Sequence, residues 1–236
     1  MPKENLWKLL VAVNGYASMV GAELATQASE GRFFELIDSS YKNNFIGPGR
    51  IKIRLLEDGY TCWFDNEVIR DLSLPSSDFI QRFYVFEEVQ HKIPKVINWI
   101  KKASIQKNKY LWGGTIGPDF DCSGLIQTAF ASEGIWLPRD AYQQEIFCKL
   151  INASPSNYSN LLEGDLIFFG DGPKSTHVAL YAENGCYWHS SGLLHGNNGI
   201  ALNNLNSKNF NSVETHYRSQ YRCAGRIMHS FNSAII

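Results

Sequence analysis

The apolar pattern changes its period partway along the chain, and that change constrains the fold more than any other feature. Residues 31–70 read as β structure. GRFFELI leads into a polar turn at 38–40, and GRIKIRLLEDGYTCWF (49–64) follows. There Ile51, Ile53 and Leu55 alternate with Lys52 and Arg54, Asp58-Gly59 supplies a turn, and Tyr60, Cys62 and Phe64 resume the alternation. Period-two alternation on both sides of Asp-Gly is a hairpin pattern. Beyond LPSSD (74–78) the period lengthens. IPKVINWIKKAS (93–104) sets Ile93, Val96, Ile97 and Ile100 on one helical stripe, with Pro94 expected in the first turn. CSGLIQTAFASEG (122–134) gathers Leu125, Ile126, Ala129 and Phe130 on one face and stops at Gly134. AYQQEIFCKL (141–150) predicts another helix, GDLIFFG (164–170) a buried strand, and THVALYAENGCYWHSSG (176–192) a hairpin. Helices followed by strands predict an α+β layer structure over 79–236, preceded by a small barrel-like β module over 1–78.

Composition narrows the function classes. A net charge of −1 without a basic run argues against a binder of the nucleic-acid backbone, whose affinity rests on clustered Lys and Arg. Arg218, Arg222 and Arg226 are widely spaced and are expected on a solvated face. Five cysteines, at 62, 122, 148, 186 and 223, are odd in number and irregular in spacing, unlike a disulfide framework, so a reducing compartment is expected. LWKLLVAV (6–13) is short and broken by Lys8, unlike a signal peptide, and no stretch is long enough to span a bilayer. The expectation is a soluble, cytoplasmic protein with no membrane or nucleic-acid partner; a periplasmic location is the alternative.

One segment carries a candidate for chemistry. In DFDCSG (119–124), Asp121 is placed to cap a helix that opens at Cys122. Free N–H groups and the positive helix end would favour a thiolate there, and Ser123 and Gly124 would leave room for a substrate. The alternatives for Cys122 are a small core residue, the usual place of a free cysteine, and a metal ligand. A thiolate nucleophile needs a base, and the base an orienting partner. His177 and His189 lie in the predicted hairpin, and register decides whether they meet. A two-residue loop at Asn184-Gly185 would put them on opposite faces. A three-residue loop, Glu183-Asn184-Gly185 with Gly185 left-handed, pairs His189 with Ala179 and sets His177 diagonally on the same face. It also gathers Val178, Leu180, Ala182, Cys186 and Trp188 on the other face. The patterning favours this register, giving a Cys122–His177–His189 constellation. A zinc site of one Cys and two His competes, but neither a fourth ligand nor closely spaced ligand pairs are visible, so no metal or cofactor is expected.

YLWGG, DFDCSGLIQTAF, LPRDAYQQ, GDLIFFG, THVALYAENG and the following His189 together resemble the NlpC-type family of bacterial cell-wall cysteine endopeptidases, over about residues 95–230. GRIKIRLLEDGYTCWF resembles, more weakly, a bacterial SH3-like module. The resemblance implies a papain-like α+β catalytic domain. It also implies hydrolysis of the γ-D-glutamyl bond to a diamino acid in peptidoglycan stem peptides, with L-Ala-γ-D-Glu-diaminopimelate as the partner molecule. Carried over by position, it makes Cys122 the nucleophile, His177 the base and His189 the third polar residue. The Cys122 N–H and the Tyr110 hydroxyl become candidates for oxyanion stabilisation, with Asp121 and Ser123 beside them. Arg139 and Asp140, from PRDA, become candidate contacts for the charged ends of the peptide, an Arg–Asp surface pair being the alternative. Tyr60, expected at an exposed hairpin tip, is a candidate contact that selects short peptides with a free N-terminal L-Ala; packing between strands is the alternative. Lys109 stands where many relatives have proline, and Tyr142 replaces a commoner small polar residue. Two other readings remain open: a papain-like amidase or acyltransferase using the same three residues, and a non-catalytic wall-binding protein.

Overall fold

The computed structural model describes residues 6–37, 49–206 and 211–232, so the polar turn expected at 38–40 lies outside the described residues. The chain divides into two compact units between Arg82 and Phe83, with Phe231 and Asn232 returning to the first.

The first unit contains β1 (Leu6–Leu9), β2 (Val13–Tyr16), β3 (Leu24–Ala28), β4 (Phe33–Leu36), β5 (Arg50–Leu55), β6 (Thr61–Asp65), helix α1 (Asn66–Asp71) and β7 (Ser73–Pro75). The strands form one antiparallel sheet in the order β3-β2-β6-β5-β4-β1-β7. Among the described residues no pairing joins β3 to β7, so the expected barrel is not closed. The predicted hairpin is present, with Ile53 opposite Cys62 and Arg54 opposite Thr61. At its tip Gly59 takes a φ of +69°, and Asp58 Oδ1 accepts the Tyr60 N–H at 3.0 Å. Tyr60 is half-buried against the core of Phe34, Ile53, Leu55 and Phe64 rather than exposed at the tip. The β reading also fails at 66–70. Val68, Ile69 and Leu72 are spaced for one helical face, and burying them favours a helix over a further strand.

The second unit contains α2 (Phe86–Ile105), α3 (Cys122–Ala131), α4 (Ala141–Phe147), β8 (Lys149–Ile151), β9 (Leu166–Phe169), β10 (His177–Tyr181), β11 (Cys186–Ser191), β12 (Gly199–Asn204), α5 (Ser212–Ser219) and β13 (Tyr221–Arg226). Its antiparallel sheet runs β12-β11-β10-β9-β13-β8. Helix α2 starts earlier than predicted, where Glu88 accepts the Val85 N–H (3.2 Å), so Pro94 is interior rather than in the first turn. An interior proline forgoes one helical hydrogen bond; burial of Val89, Ile93, Val96, Ile97 and Ile100 offsets that loss. Helix α4 ends at Phe147, and Lys149–Ile151 pairs with β13 instead of continuing the helix.

Both faces of this sheet are covered. Val178, Leu180, Leu166 and Phe168 pack with residues of α2 and α3 on one side. Ile167, Phe169, Ala179, Tyr181 and Tyr187 pack with Tyr217 of α5 on the other. The arginines expected on a solvated face are partly spent on ion pairs: Arg226 binds Asp165, whose side chain is wholly buried, and Arg222 binds Glu145 at 2.6 Å. Among the described residues no helix is long and apolar enough to cross a membrane.

Candidate active site

Asp121 builds the site from the backbone up. As N-cap of α3 it accepts the Gly124 N–H (2.6 Å) on one oxygen and the Gly113 N–H (2.9 Å) on the other, tying the glycine-rich loop to the helix start. Arg139 closes the arrangement. Its guanidinium forks onto both oxygens of Asp121 (3.1 and 2.5 Å) and onto Ser123 Oγ (3.0 Å). At 1% exposure Arg139 does not face a peptide, and the Arg139–Asp121 pair is not a surface pair. Two other expectations change with it. Ser123 is buried between these partners, and a Cβ at Gly124 would lie 2.1 Å from the Gly114 carbonyl oxygen. Gly124 therefore permits close approach of loop and helix rather than entry of a substrate. Asp140 caps α4, with Gln143 Oε1 accepting the Asp140 N–H at 3.0 Å.

Helix α3 packs on β10 and β11, bringing Cys122 to the start of β10. The sulfur accepts backbone N–H groups from Ser123 and from Val178, the residue after His177. It is 5% exposed. Burial pushes the thiol up to about 12, and the Asp121 carboxylate adds to this; the two N–H groups and Arg139 offset only part. The thiolate expected from the helix terminus is therefore not the resting form. Desolvation outweighs the helix end here. The hydroxyls of Tyr110 and Tyr217 both feel the sulfur's charge, which helps burial raise their own pKa values. Tyr110 is fixed by a bridge between its backbone and that of Phe120.

The hairpin adopts the three-residue register. Leu180 pairs with Trp188 and Tyr181 with Tyr187, and Gly185 takes φ +81°. The two imidazoles meet: His177 Nε2 lies 2.8 Å from His189 Nδ1, and His189 Nε2 lies 2.8 Å from Asn203 Oδ1. Asn203, on β12, was missed because no spacing rule links it to residues on another hairpin. Asn203 Oδ1 also accepts Asn197 Nδ2–H at 2.8 Å, so it is an acceptor. His189 must then carry its proton on Nε2 and accept on Nδ1 from His177 Nε2–H. His177 Nδ1 is left as the bare, basic nitrogen. Burial, and then the neighbouring His189 and His216, hold His177 well below its usual 6.5; burial brings His189 down to about 4. The resting site is a neutral thiol beside a neutral imidazole relay. Among the described residues no group of three or more His, Cys, Asp or Glu could hold a metal ion.

These features define a class: an α+β protein in which a helix-opening cysteine adjoins a buried, polarised imidazole relay, a combination suited to proton transfer from a thiol. Residues 107–219 match the model of the NlpC/P60 family. Over 103 residues the chain is 40% identical to the bifunctional muramidase/DL-endopeptidase CwlT of Bacillus subtilis, covering 42% of this chain and 28% of that protein. Over 121 residues it is 30% identical to the murein DD-endopeptidase MepS/murein LD-carboxypeptidase of Escherichia coli, covering 51% and 56% respectively. The chain thus spans between 28% and 56% of the length of these relatives. The solved structure of NlpC2 from Trichomonas vaginalis shares the fold at a TM-score of 0.51 and 18% identity, covering 96% of this chain and 98% of that one.

Proposed function

We propose that the protein is a cysteine peptidase that hydrolyses the γ-D-glutamyl–diamino acid bond of peptidoglycan stem peptides, acting on short peptides with a free N-terminal L-Ala. The observation that carries this reading is the relay from Asn203 through His189 to His177, which leaves one basic nitrogen on the residue next to Val178, whose N–H the Cys122 sulfur accepts. In the proposed mechanism His177 takes the thiol proton as the sulfur attacks the γ-glutamyl carbonyl. The same imidazole returns the proton to the leaving amine, and water then cleaves the thioester. The Cys122 N–H lies in the first helical turn, without an intrahelical acceptor, and with the Tyr110 hydroxyl would hold the oxyanion. Neither a metal nor an organic cofactor has a part in it. The papain-like description of the fold belongs to the same proposal.

Two observations support the finer points. A γ-D-glutamyl–L-diamino acid bond joins D and L centres, and identity to the DL-endopeptidase relative (40%) exceeds identity to the DD-endopeptidase relative (30%). The exposures of Cys122 (5%) and His177 (8%) leave narrow access, which favours small free peptides over cross-linked wall. We read the N-terminal unit as an SH3-like recognition module, and a cytoplasmic place of action follows from recycled peptides as substrate. Failure of the full-length Cys122→Ala protein to bind wall-derived peptides would remove the module reading, and cell fractionation tests the location.

The deciding experiment is product analysis on L-Ala-γ-D-Glu-diaminopimelate and on a longer stem peptide ending in D-Ala. Wild type should release free diaminopimelate from the tripeptide and diaminopimelyl-D-Ala from the longer peptide, and Cys122→Ala should lose activity by about 10^4-fold or more. Release of D-Ala alone would reassign the bond, and an active Cys122→Ala protein would refute thiol catalysis.

A further inference from the structure

Helix α5 (Ser212–Ser219) brings one side chain onto the imidazole relay from outside the cysteine helix and the histidine hairpin. Tyr217 is buried, and its ring lies against His177 at 4.4 Å between centroids and 31° between planes. The same ring stands edge-on to His189 (4.8 Å, 85°) and to Phe169 (5.3 Å, 69°). Its hydroxyl pairs with the buried Ser191 hydroxyl and lies near enough to feel charge on Cys122. Ser191 Oγ in turn accepts the Asn197 N–H (2.9 Å), and Asn197 donates to Asn203. One aromatic residue therefore touches both histidines while its hydroxyl reaches toward the nucleophile and the loop that braces Asn203.

We propose that Tyr217 is a positioning residue for the His177 base, its ring fixing the imidazole plane and excluding water while its hydroxyl anchors α5 to Ser191. The inference rests on the thiol–imidazole reading above and adds a participant that neither the sequence motif nor the hairpin contains.

The physical argument has two parts. A histidine held by one hydrogen bond at Nε2 can still rotate about that bond, and a ring lying close against its face at a shallow tilt restricts the freedom. A hydrogen bond between two imidazoles is also strengthened where water is kept out. Phe169 lies farther from His177, at 5.8 Å and 51°, so Tyr217 at 4.4 Å and 31° is the nearer and more nearly parallel ring. The groups facing His177 that could also shape its titration are His189 from β11, and His216 beside Tyr217 on α5; His216 in turn stacks on His195.

The test needs no substrate. Alkylation of Cys122 by iodoacetamide, read by mass spectrometry of the Cys122 peptide so that the other four cysteines do not interfere, is followed from pH 4 to 9 in wild type, Tyr217→Phe and Tyr217→Leu. The expected result is an about tenfold or greater loss of the neutral-pH rate in Tyr217→Leu, of the size usual for loss of a well-placed acid–base partner. Its pH midpoint should move up toward that of a hydrated histidine, because the cover that disfavours the imidazolium has gone. Tyr217→Phe, which keeps the ring, should recover most of the rate. A folded Tyr217→Leu protein, verified by thermal melting, that reacts with the wild-type profile would overturn the proposal. So would a Tyr217→Phe protein as impaired as Tyr217→Leu, which would assign the effect to the hydroxyl alone. Failure of the hydrolysis reading shows separately, as a wild-type protein without peptide product but with an imidazole-dependent alkylation profile.

Discussion

Each unit of this protein buries an arginine–carboxylate cluster, yet only one of the two clusters adjoins the candidate active site. In the N-terminal sheet Arg32 binds Glu57 (3.1 Å) and Asp58 (2.9 Å), and Glu57 also accepts the Phe33 N–H (2.7 Å). That cluster ties the hairpin turn to Arg32 and to the backbone of β4. In the C-terminal unit Arg139 binds Asp121 and Ser123 in much the same way. The residue next to this cluster is a cysteine whose sulfur accepts the Val178 N–H at the start of β10, the strand that opens with His177 of the histidine relay. Buried charge is thus no mark of function by itself. What separates the two regions is the neighbour: the first cluster braces a turn, and the second also caps the helix that opens with Cys122.

The comparison can be broken most sharply by substituting each arginine. Arg139→Leu and Arg32→Leu should each cost about 3–5 kcal/mol, since each strands a buried carboxylate. Thermal and urea melts measure that cost. In whatever folded fraction remains, only Arg139→Leu should also alter Cys122 alkylation. Equal effects of both substitutions on the thiol would erase the distinction drawn here.

Acid should expose the next difference. His189 titrates near 4 when folded against an ordinary 6.5, so the unfolded chain takes up a proton that the folded chain refuses. The folded value is the depressed one. Stability from this site is therefore complete above pH 6.5 and is lost as pH falls toward 4, by on the order of 3 kcal/mol. His177 adds to the same slope, its folded value being lowered as well. Urea titrations at several pH values should show the slope in wild type and a shallower one in His189→Gln. An unchanged slope would mean that the relay is not buried neutral. For activity, the low value at His177 places the acid limb well below pH 6.5, with a plateau through neutrality.

The smallest effect is expected at the far end of the relay. Asn203→Ala leaves both imidazoles in place but removes the acceptor that sets their tautomers. It should lower kcat by about 10- to 100-fold with little change in KM. A change in KM alone would make Asn203 a binding residue instead.

The histidine register was legible because side chains alternate along a strand. Only the three-residue loop puts Val178, Leu180 and Trp188 on one face and His177 and His189 on the other. Other expectations failed where local patterns were silent about distance. Arg139 and Asp140 are adjacent in sequence, but Arg139 reaches inward to Asp121 and Asp140 caps α4. The thiolate expected from the helix terminus gave way to the cost of burying charge, which depends on neighbours and not on the six residues around Cys122.

By itself, the sequence determined the period of each element, the helix start at Cys122, the hairpin turns and the face on which the two histidines lie. These follow from local stereochemistry: alternation in strands, the helical repeat, caps and left-handed glycines. Tertiary structure alone decided that Asn203 and Tyr217 join the histidines, that Arg139 is spent on Asp121, and that, among the described residues, no pairing closes the N-terminal sheet. Those outcomes depend on which segments meet across the fold and on how much water they exclude, and neither is encoded in any short stretch of residues.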